Sequence, residues 1–203
     1  MAQRTSEKHR KTNETDITLS LDLDGSDYAS ATGVGFLDHM LDHVGRHAQI
    51  SLNVRATGDT HIDDHHTVED VGIVFGQALA EALGEKVGIE RYGYGVVPMD
   101  ESLARVAVDL SGRAALVFHV PWTGYGIEAA AISGERIGRF DVQLVQEFFN
   151  AVAQNAKMNV HIEVPWGQNN HHMAEAIFKA FGRALRQAIA ITGDQVASTK
   201  GSL

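Results

Sequence analysis

The residues best suited to chemistry in this sequence form one histidine-rich motif that occurs twice. The motif is His-His-x-x-Glu, at His65-His66-x-x-Glu69 and at His171-His172-x-x-Glu175. On a helix, residues four apart share a face, so the first histidine and the glutamate of each motif can bind one ion together. The second histidine points about 100° away and cannot easily reach that ion. Each motif therefore predicts a helix that serves two metal centres.

Metal binding is the interpretation that two matching motifs favour. Imidazole with carboxylate suits manganese, iron, nickel or zinc. His39, on a predicted helix 26 residues before the first motif, is a candidate additional ligand. A lone histidine is more often a surface or core residue, and that is our expectation for four others: His9, His43, His47 and His119. His61 and His161, which flank the motifs, stay open between the two roles.

Three acidic residues beside the first motif have two possible roles. Asp63, Asp64 and Asp70 could orient the ligand imidazoles through hydrogen bonds. They could equally be acidic residues that the helix dipole favours at a helix start. The second role is the one we favour for Asp63 and Asp64.

Basic residues in glycine- or serine-rich turns suggest an anion site. Arg91, Arg113 and Lys200 all lie in such turns. Guanidinium and ammonium groups, with nearby hydroxyls and backbone amides, can hold a phosphate. Each turn is weak evidence alone, and so is the carboxylate of Glu14 at the start of the first clear strand. Spacing does not show whether these residues reach the metals.

The chain repeats itself at an offset of 108 residues, which predicts two similar halves. Residues 37–54 align without a gap on residues 145–162, and a two-residue shift aligns the two histidine motifs. Hydrophobic periodicity predicts β-β-α-β-α in each half, with two amphipathic helices on one face of a small, mostly antiparallel sheet. The predicted repeats are residues 12–90 and 91–192, within a single catalytic unit. Residues 1–11 and the end from about 192 are expected to be mobile tails. In the second half, strands are predicted at 95–99, 103–110, 114–120 and 158–164, and helices at 142–156 and 170–190.

Composition excludes several classes of function. The 203 residues include 11 histidines and no cysteine, which rules out disulfides, thiol nucleophiles and cysteine-based metal sites. A formal net charge of -9 argues against general nucleic-acid binding. No apolar run is long enough to cross a membrane, and the polar start has no signal-peptide core. We expect a cytoplasmic protein with neither a nucleic-acid nor a membrane partner.

Four segments together resemble the imidazoleglycerol-phosphate dehydratase family, an enzyme family of histidine biosynthesis. The segments are 36–43 (FLDHMLDH), 64–70 (DHHTVED), 170–175 (NHHMAE) and 198–201 (STKG). The resemblance covers nearly the whole chain and leaves no room for the phosphatase domain that some members carry, so it implies the monofunctional form. It implies a duplicated α+β fold of the ribosomal protein S5 domain 2-like type, with helices between two small mixed or antiparallel sheets. It also implies a homo-oligomer, a 24-mer built from trimers, with active sites at subunit interfaces.

The resemblance further implies two Mn²⁺ ions per active site and a role for each matching residue. The implied metal ligands are His39, His65, His66, Glu69, His171, His172 and Glu175. Glu147 joins them as a candidate ligand, since many members have a histidine there and a carboxylate can bind a hard divalent ion. The substrate phosphate would be bound by Arg91, Arg113, Ser198 and Lys200, and Glu14 would lie beside the substrate's diol.

The reaction implied is loss of water from D-erythro-imidazoleglycerol phosphate to give imidazole-acetol phosphate. The hydrogen removed is not next to a carbonyl, so a base alone would be slow. Two ions on the imidazole nitrogens would favour the imidazolate, which can expel the adjacent hydroxyl and give a diazafulvene-like intermediate. Glu14 is our candidate for the base that then removes the proton, with His65, Glu69, His171 and Glu175 as the other catalytic candidates.

Two other functions would fit part of the pattern. A di-metal hydrolase acting on a phosphorylated small molecule would use a metal-bound water as its nucleophile. A metal-storage or metal-sensing module would need the histidines but not the basic turns.

Overall fold

The computed structural model describes residues 3–122, 136–201 and 203, which form an α+β fold with a helical layer between two four-stranded sheets. The predicted fold class is confirmed. The first half contains β1 (Thr5–Lys11), β2 (Thr15–Asp22), β3 (Tyr28–Ala31), α1 (Gly35–Ala48), β4 (Ser51–Gly58) and α2 (His65–Leu83). After β5 (Val87–Ile89), the second half contains β6 (Tyr92–Met99), β7 (Ser102–Asp109), β8 (Ala115–His119), β9 (Arg136–Ile137), β10 (Phe140–Asp141), α3 (Gln143–Ala156), β11 (Asn159–Trp166), α4 (Asn170–Ala188) and β12 (Ile191–Val196).

The two sheets have the same topology. Their strand orders are β1-β2-β4-β3 and β6-β7-β11-β8. Each has two antiparallel pairs and one parallel pair, and a helix makes the crossover between the parallel strands. Helices α1 and α3 end on equivalent left-handed residues, Gln49 and Lys157, which are 108 positions apart. The two halves therefore share one backbone plan.

Both predicted tails contain strands, which corrects that expectation. Thr5–Lys11 pairs with β2 along its whole length, and Ile191–Val196 pairs with β5. Strand β1 is an edge strand of mostly polar and charged residues, so it lacks the hydrophobic alternation that reveals a half-buried strand. Residues 1 and 2 lie outside the described residues. The first half has three strands before its first helix, whereas two were predicted, and the second half has two short strands, β9 and β10, that were not predicted.

The core lies between the sheets and is built largely from the helices. Helix α2 packs on α3, and α1 packs on α4. Phe148 and Phe149 of α3 contact Phe178 of α4, and Phe75 of α2 contacts Phe148. These side chains are fully buried. The core thereby fixes the relative positions of the helices that carry the histidine motifs.

Both histidine motifs lie in the first turn of a helix. The side chain of Asn169 accepts hydrogen bonds from the backbone of His171 and His172, and Asp63 accepts one from the backbone of His65. The Asn169 contacts cap α4 and so fix where that helix begins, whereas the Asp63 contact closes a turn just before α2. Among the described helices, none is long and apolar enough to span a bilayer.

Candidate metal and substrate site

Four side chains from two helices converge in one cluster. His39 and His43 come from α1, and His171 and Glu175 come from the first turns of α4. Glu175 Oε2 lies 3.1 Å from His171 Nε2 and 3.4 Å from His39 Nε2. Glu175 Oε1 lies 3.1 Å from His43 Nε2, which is itself 3.2 Å from His39 Nε2.

These distances fit a metal site. Ligand atoms of His39, His43 and Glu175 all lie within 4.8 Å of one another. Ligands about 2.1 Å from a common ion are themselves about 3.0–3.4 Å apart, depending on geometry. The cluster therefore has both the spacing and the nitrogen and oxygen donors that a first-row divalent ion requires.

The carboxylate of this cluster also forms a buried ion pair with a lysine. Lys179 Nζ lies 2.6 Å from Glu175 Oε1, one helical turn further along α4. Burial alone would raise the pKa of Glu175, but Lys179 and His43 lower it to about 2. Burial lowers the pKa of His43 to about 4, although Glu175 partly opposes that shift. Near neutral pH the cluster thus holds a carboxylate and a neutral imidazole, which are the forms that bind metals.

His43 is a functional candidate that the sequence analysis assigned to the surface or core. The structure brings it to Glu175 instead. The sequence did contain a sign of this, because His43 lies four residues after His39 on a predicted helix. That spacing places two side chains on one face, as it does for the histidine and glutamate of each motif.

The motif on α2 forms a second, more open cluster. His65 Nε2 lies 4.0 Å from Glu69 Oε2, and both side chains are nearly half exposed. His66 Nδ1 lies 2.9 Å from Asp59 Oδ2, a contact that raises the pKa of His66. Glu14 Oε2 is 4.0 Å from His66 Nδ1. The first half thus places Glu14 beside the second histidine of its motif.

The corresponding histidine of α4 also has a carboxylate partner. His172 Nδ1 lies 2.8 Å from Glu101 Oε2, in the turn between β6 and β7. Asp100 Oδ2 approaches His172 Nε2 at 3.6 Å. Neither Asp59 nor Glu101 was identified from sequence, because Asp59 lies seven residues from its histidine and Glu101 lies 71 residues away.

The contacts of Asp64 and Asp70 are with groups other than the ligand imidazoles. Asp64 is 3.8 Å from Arg139, and Asp70 accepts a hydrogen bond from Thr15 and pairs with Arg10. Glu147 is half-buried on α3, and the described part of the structure gives it no hydrogen bond or ion pair. Its role as a ligand stays a prediction.

The predicted phosphate-binding residues line one cavity of about 520 Å³. It is lined by Arg91, Arg113, Ser198 and Lys200, among others. Arg91 makes two hydrogen bonds to Asp109 and one to the carbonyl of Ala197, which fixes the C-terminal segment at the cavity. Its remaining donors, together with Arg113 and Lys200, make the cavity suited to an anion.

This basic cavity lies at the far end of α4 from the metal-ligand cluster. The backbone of Arg91 donates to Ala188, the last residue of α4, whereas His171 lies in its first turn. At ~1.5 Å per residue, the two ends are roughly 25 Å apart. A small phosphorylated molecule cannot span that distance within one chain.

Comparison with known proteins identifies the family. The family model described as imidazoleglycerol-phosphate dehydratase matches residues 32–185. An imidazoleglycerol-phosphate dehydratase from Burkholderia ambifaria (strain MC40-6) is 53% identical over 204 residues, covering 98% of this chain and 100% of the relative. One from Ralstonia pickettii (strain 12J) is 52% identical, covering 98% and 99%.

Two solved structures of such dehydratases match this fold. The crystal structure from Staphylococcus aureus has a TM-score of 0.79 at 45% identity and covers 93% of this chain and 99% of its own. The one from Pyrococcus furiosus has a TM-score of 0.79 at 35% identity, covering 97% and 100%. The family predicted from the sequence is confirmed: the chain belongs to the imidazoleglycerol-phosphate dehydratases, the hydro-lyases of histidine biosynthesis.

Proposed function

We propose that the chain dehydrates D-erythro-imidazoleglycerol phosphate to imidazole-acetol phosphate with two divalent metal ions per active site, manganese being the expected metal. The observation that carries the proposal is the convergence of His39, His43, His171 and Glu175, with ligand atoms at distances that suit one ion. The second ion would be bound through the open cluster of α2. A metal-binding module would have no need of the basic cavity.

The ions would supply one effect, the stabilisation of the deprotonated form of a bound imidazole ring. The residues of the chain bind the substrate, orient it and accept its proton. The basic cavity binds the phosphate and thereby fixes the three-carbon chain of the substrate, so that the reacting carbons are oriented. The hydroxyl next to the ring takes up the proton that the ring has released and leaves as water. The neighbouring carbon then loses a proton to a base, which gives an enol, and that proton restores the neutral ring as the enol becomes the ketone.

Glu14 is the residue we propose to accept that proton. It lies in the turn between β1 and β2, and its carboxylate is about half exposed. Among the described side chains, its only charged neighbour is His66, 4.0 Å away. A carboxylate that is free of hydrogen bonds and close to a ligand histidine can reach a substrate held there and exchange protons with it.

We also propose that each active site is built at a contact between subunits of a homo-oligomer, in the arrangement expected for the family of a 24-mer assembled from trimers. The support is the distance of roughly 25 Å between the two ends of α4. The metal-ligand cluster of one chain must therefore meet the basic cavity of another. An ion that joins ligands from different chains would strengthen this assembly.

One assay separates the proposed reaction from hydrolysis. Purified protein loaded with manganese is given imidazoleglycerol phosphate, and both the ketone product and inorganic phosphate are measured. We expect ketone formation, and no activity after treatment with a chelator. Release of phosphate without ketone would instead indicate a di-metal hydrolase.

Mixed assemblies test whether the sites are shared between chains. His171→Ala removes a metal ligand, and Lys200→Ala removes a cation of the basic cavity and raises KM. At a substrate concentration well below KM, each variant should therefore be weakly active alone. Assemblies that contain both variants should regain up to about a quarter of wild-type activity, because some sites then combine two intact halves. Mixed assemblies no more active than the two separate variants would show that each site belongs to one chain.

A further inference from the structure

The turns that carry Glu14 and Glu101 occupy equivalent positions in the two halves. An offset of 87 residues relates the paired strands β1 and β2 to β6 and β7, with Thr5 paired to Asp22 and Tyr92 paired to Asp109. The same offset places Glu14 on Glu101. Each is the residue immediately before β2 or β7, and each lies beside the second histidine of a motif.

The two carboxylates differ in how firmly they are held. Glu101 Oε1 accepts hydrogen bonds from the backbone N–H of Asn169 at 2.8 Å and of Gln168 at 3.1 Å, and from the hydroxyl of Ser102 at 3.0 Å. Its other oxygen, Oε2, accepts from His172 Nδ1. Hydrogen bonds from His172 and from the backbone lower the pKa of Glu101. Among the residues that the structure describes, the Glu14 carboxylate has only the 4.0 Å approach to His66.

The first half orients its histidine with a different residue. Asp59, at the end of β4, lies 2.9 Å from His66 Nδ1, so Glu14 is not needed there. The offset of 108 residues that relates β4 to β11 places Gly167 opposite Asp59. A Cβ on Gly167 would lie 2.5 Å from Cγ of the buried Met173, so a side chain at that position would require Met173 to shift. The second half instead supplies the carboxylate from its hairpin.

We propose that Glu101 is a positioning residue that fixes His172 for metal binding, as Asp59 fixes His66, and that the hairpin glutamate of the first half is thereby left to act as the base. A carboxylate accepts but cannot donate, so it selects the tautomer with hydrogen on Nδ1. The lone pair of Nε2 then points away from Glu101 and is available to an ion. This inference rests on the proposed function, which makes His172 a metal ligand.

The test is a manganese titration of Glu101→Gln, with Glu14→Gln as the matched control. Glutamine can still accept from the backbone of residues 168 and 169, but its amide donates to Nδ1 and so selects the opposite tautomer. We expect the affinity of at least one manganese site, measured by electron paramagnetic resonance of free Mn²⁺, to fall 10- to 100-fold. The affinity of Glu14→Gln should stay within about twofold of wild type, since a free carboxylate orients no ligand. Wild-type affinity at every site of Glu101→Gln would overturn the proposal.

A second variant and a wild-type control keep the outcomes distinct. Glu101→Asp keeps an acceptor for Nδ1 on a shorter side chain, so we expect it to bind manganese more tightly than Glu101→Gln, and the reverse order would also overturn the proposal. This comparison holds even if Glu101→Gln is recovered in low yield, because both are measured on folded, metal-free protein. If wild-type protein bound no manganese and formed no ketone, the proposed function itself would be wrong. If wild type did both and the Glu101 variants matched it, only this inference would be wrong.

Discussion

The two halves share one backbone plan, yet they hold their histidine motifs with carboxylates from different places. In the first half Asp59 follows a sheet strand and contacts His66, while in the second half Glu101 reaches His172 from a hairpin. The same hairpin position in the first half carries Glu14, whose carboxylate has no hydrogen bond among the described residues. A duplicated fold can thus keep side chains at equivalent positions and give them different contacts.

The hairpins also differ in how they pack on the helix behind them. Strand β6 lies directly on α4, because Gly93 and Gly95 bring it against the backbone of that helix. The equivalent positions of β1 are Ser6 and Lys8, which reach α2 through polar contacts with Glu81. The hairpin that carries Glu101 is thus fixed by backbone packing, whereas the hairpin that carries Glu14 is held by side chains.

The largest effect expected from this comparison concerns catalysis. Glu14→Gln removes the proposed base, so kcat should fall about 10³-fold while manganese binding is retained. Steady-state kinetics on metal-loaded protein, with metal content measured in parallel, checks this. A kcat within tenfold of wild type would remove Glu14 from the chemistry.

The next effect concerns the packing of the hairpins. Gly95→Ala places a Cβ against the carbonyl of Ala180 and forces β6 away from α4, so it should destabilise the metal-free fold by about 3 kcal/mol. Lys8→Ala, at the equivalent position of β1, loses a partly exposed ion pair and should cost less than about 1 kcal/mol. Thermal unfolding of the two metal-free variants measures the difference. Equal losses would show that the two hairpins are held alike.

The role of Asp59 gives the counterpart of the Glu101 experiment. Asp59→Asn should weaken one manganese site 10- to 100-fold, because the amide no longer selects the tautomer with Nε2 free. Combined with Glu101→Gln, the losses should be close to additive, since the two carboxylates hold different histidines. Strong non-additivity in the same titration would mean that both histidines serve one ion.

The smallest effect expected lies outside both motifs. Lys200→Ala should raise KM about tenfold and change kcat little, because it removes one cation from a cavity that retains Arg91 and Arg113. Manganese affinity should not change. Initial rates over a range of substrate concentrations test this, and an unchanged KM would argue against phosphate binding in the cavity.

Local patterns in the sequence predicted the elements that carry the chemistry. The helices predicted at 142–156 and 170–190 match α3 and α4 to within two residues at each end. The motifs themselves show which histidine and glutamate share a face. These features depend only on neighbours within one helix.

Features that depend on contacts between distant elements could not be predicted in the same way. The loops differ in length between the halves, so the hairpins repeat at 87 residues while the helices α1 and α3 repeat at 108, and the match of Glu14 with Glu101 is hidden. Strand β1 is polar and gives no periodic signal. The basic cavity joins Arg91 to a segment that lies about 107 residues further along the chain.

The central claim is that one hairpin glutamate transfers a proton and its counterpart only orients a ligand. The direct test is the turnover of Glu14→Gln and Glu101→Gln as manganese is raised to saturation. A weakened metal site can still be filled when the manganese concentration is high, so kcat of Glu101→Gln should recover to within about tenfold of wild type. The kcat of Glu14→Gln should stay about 10³-fold below wild type at every manganese concentration. If both variants stay equally inactive when their metal sites are full, the division of roles between the two halves is wrong.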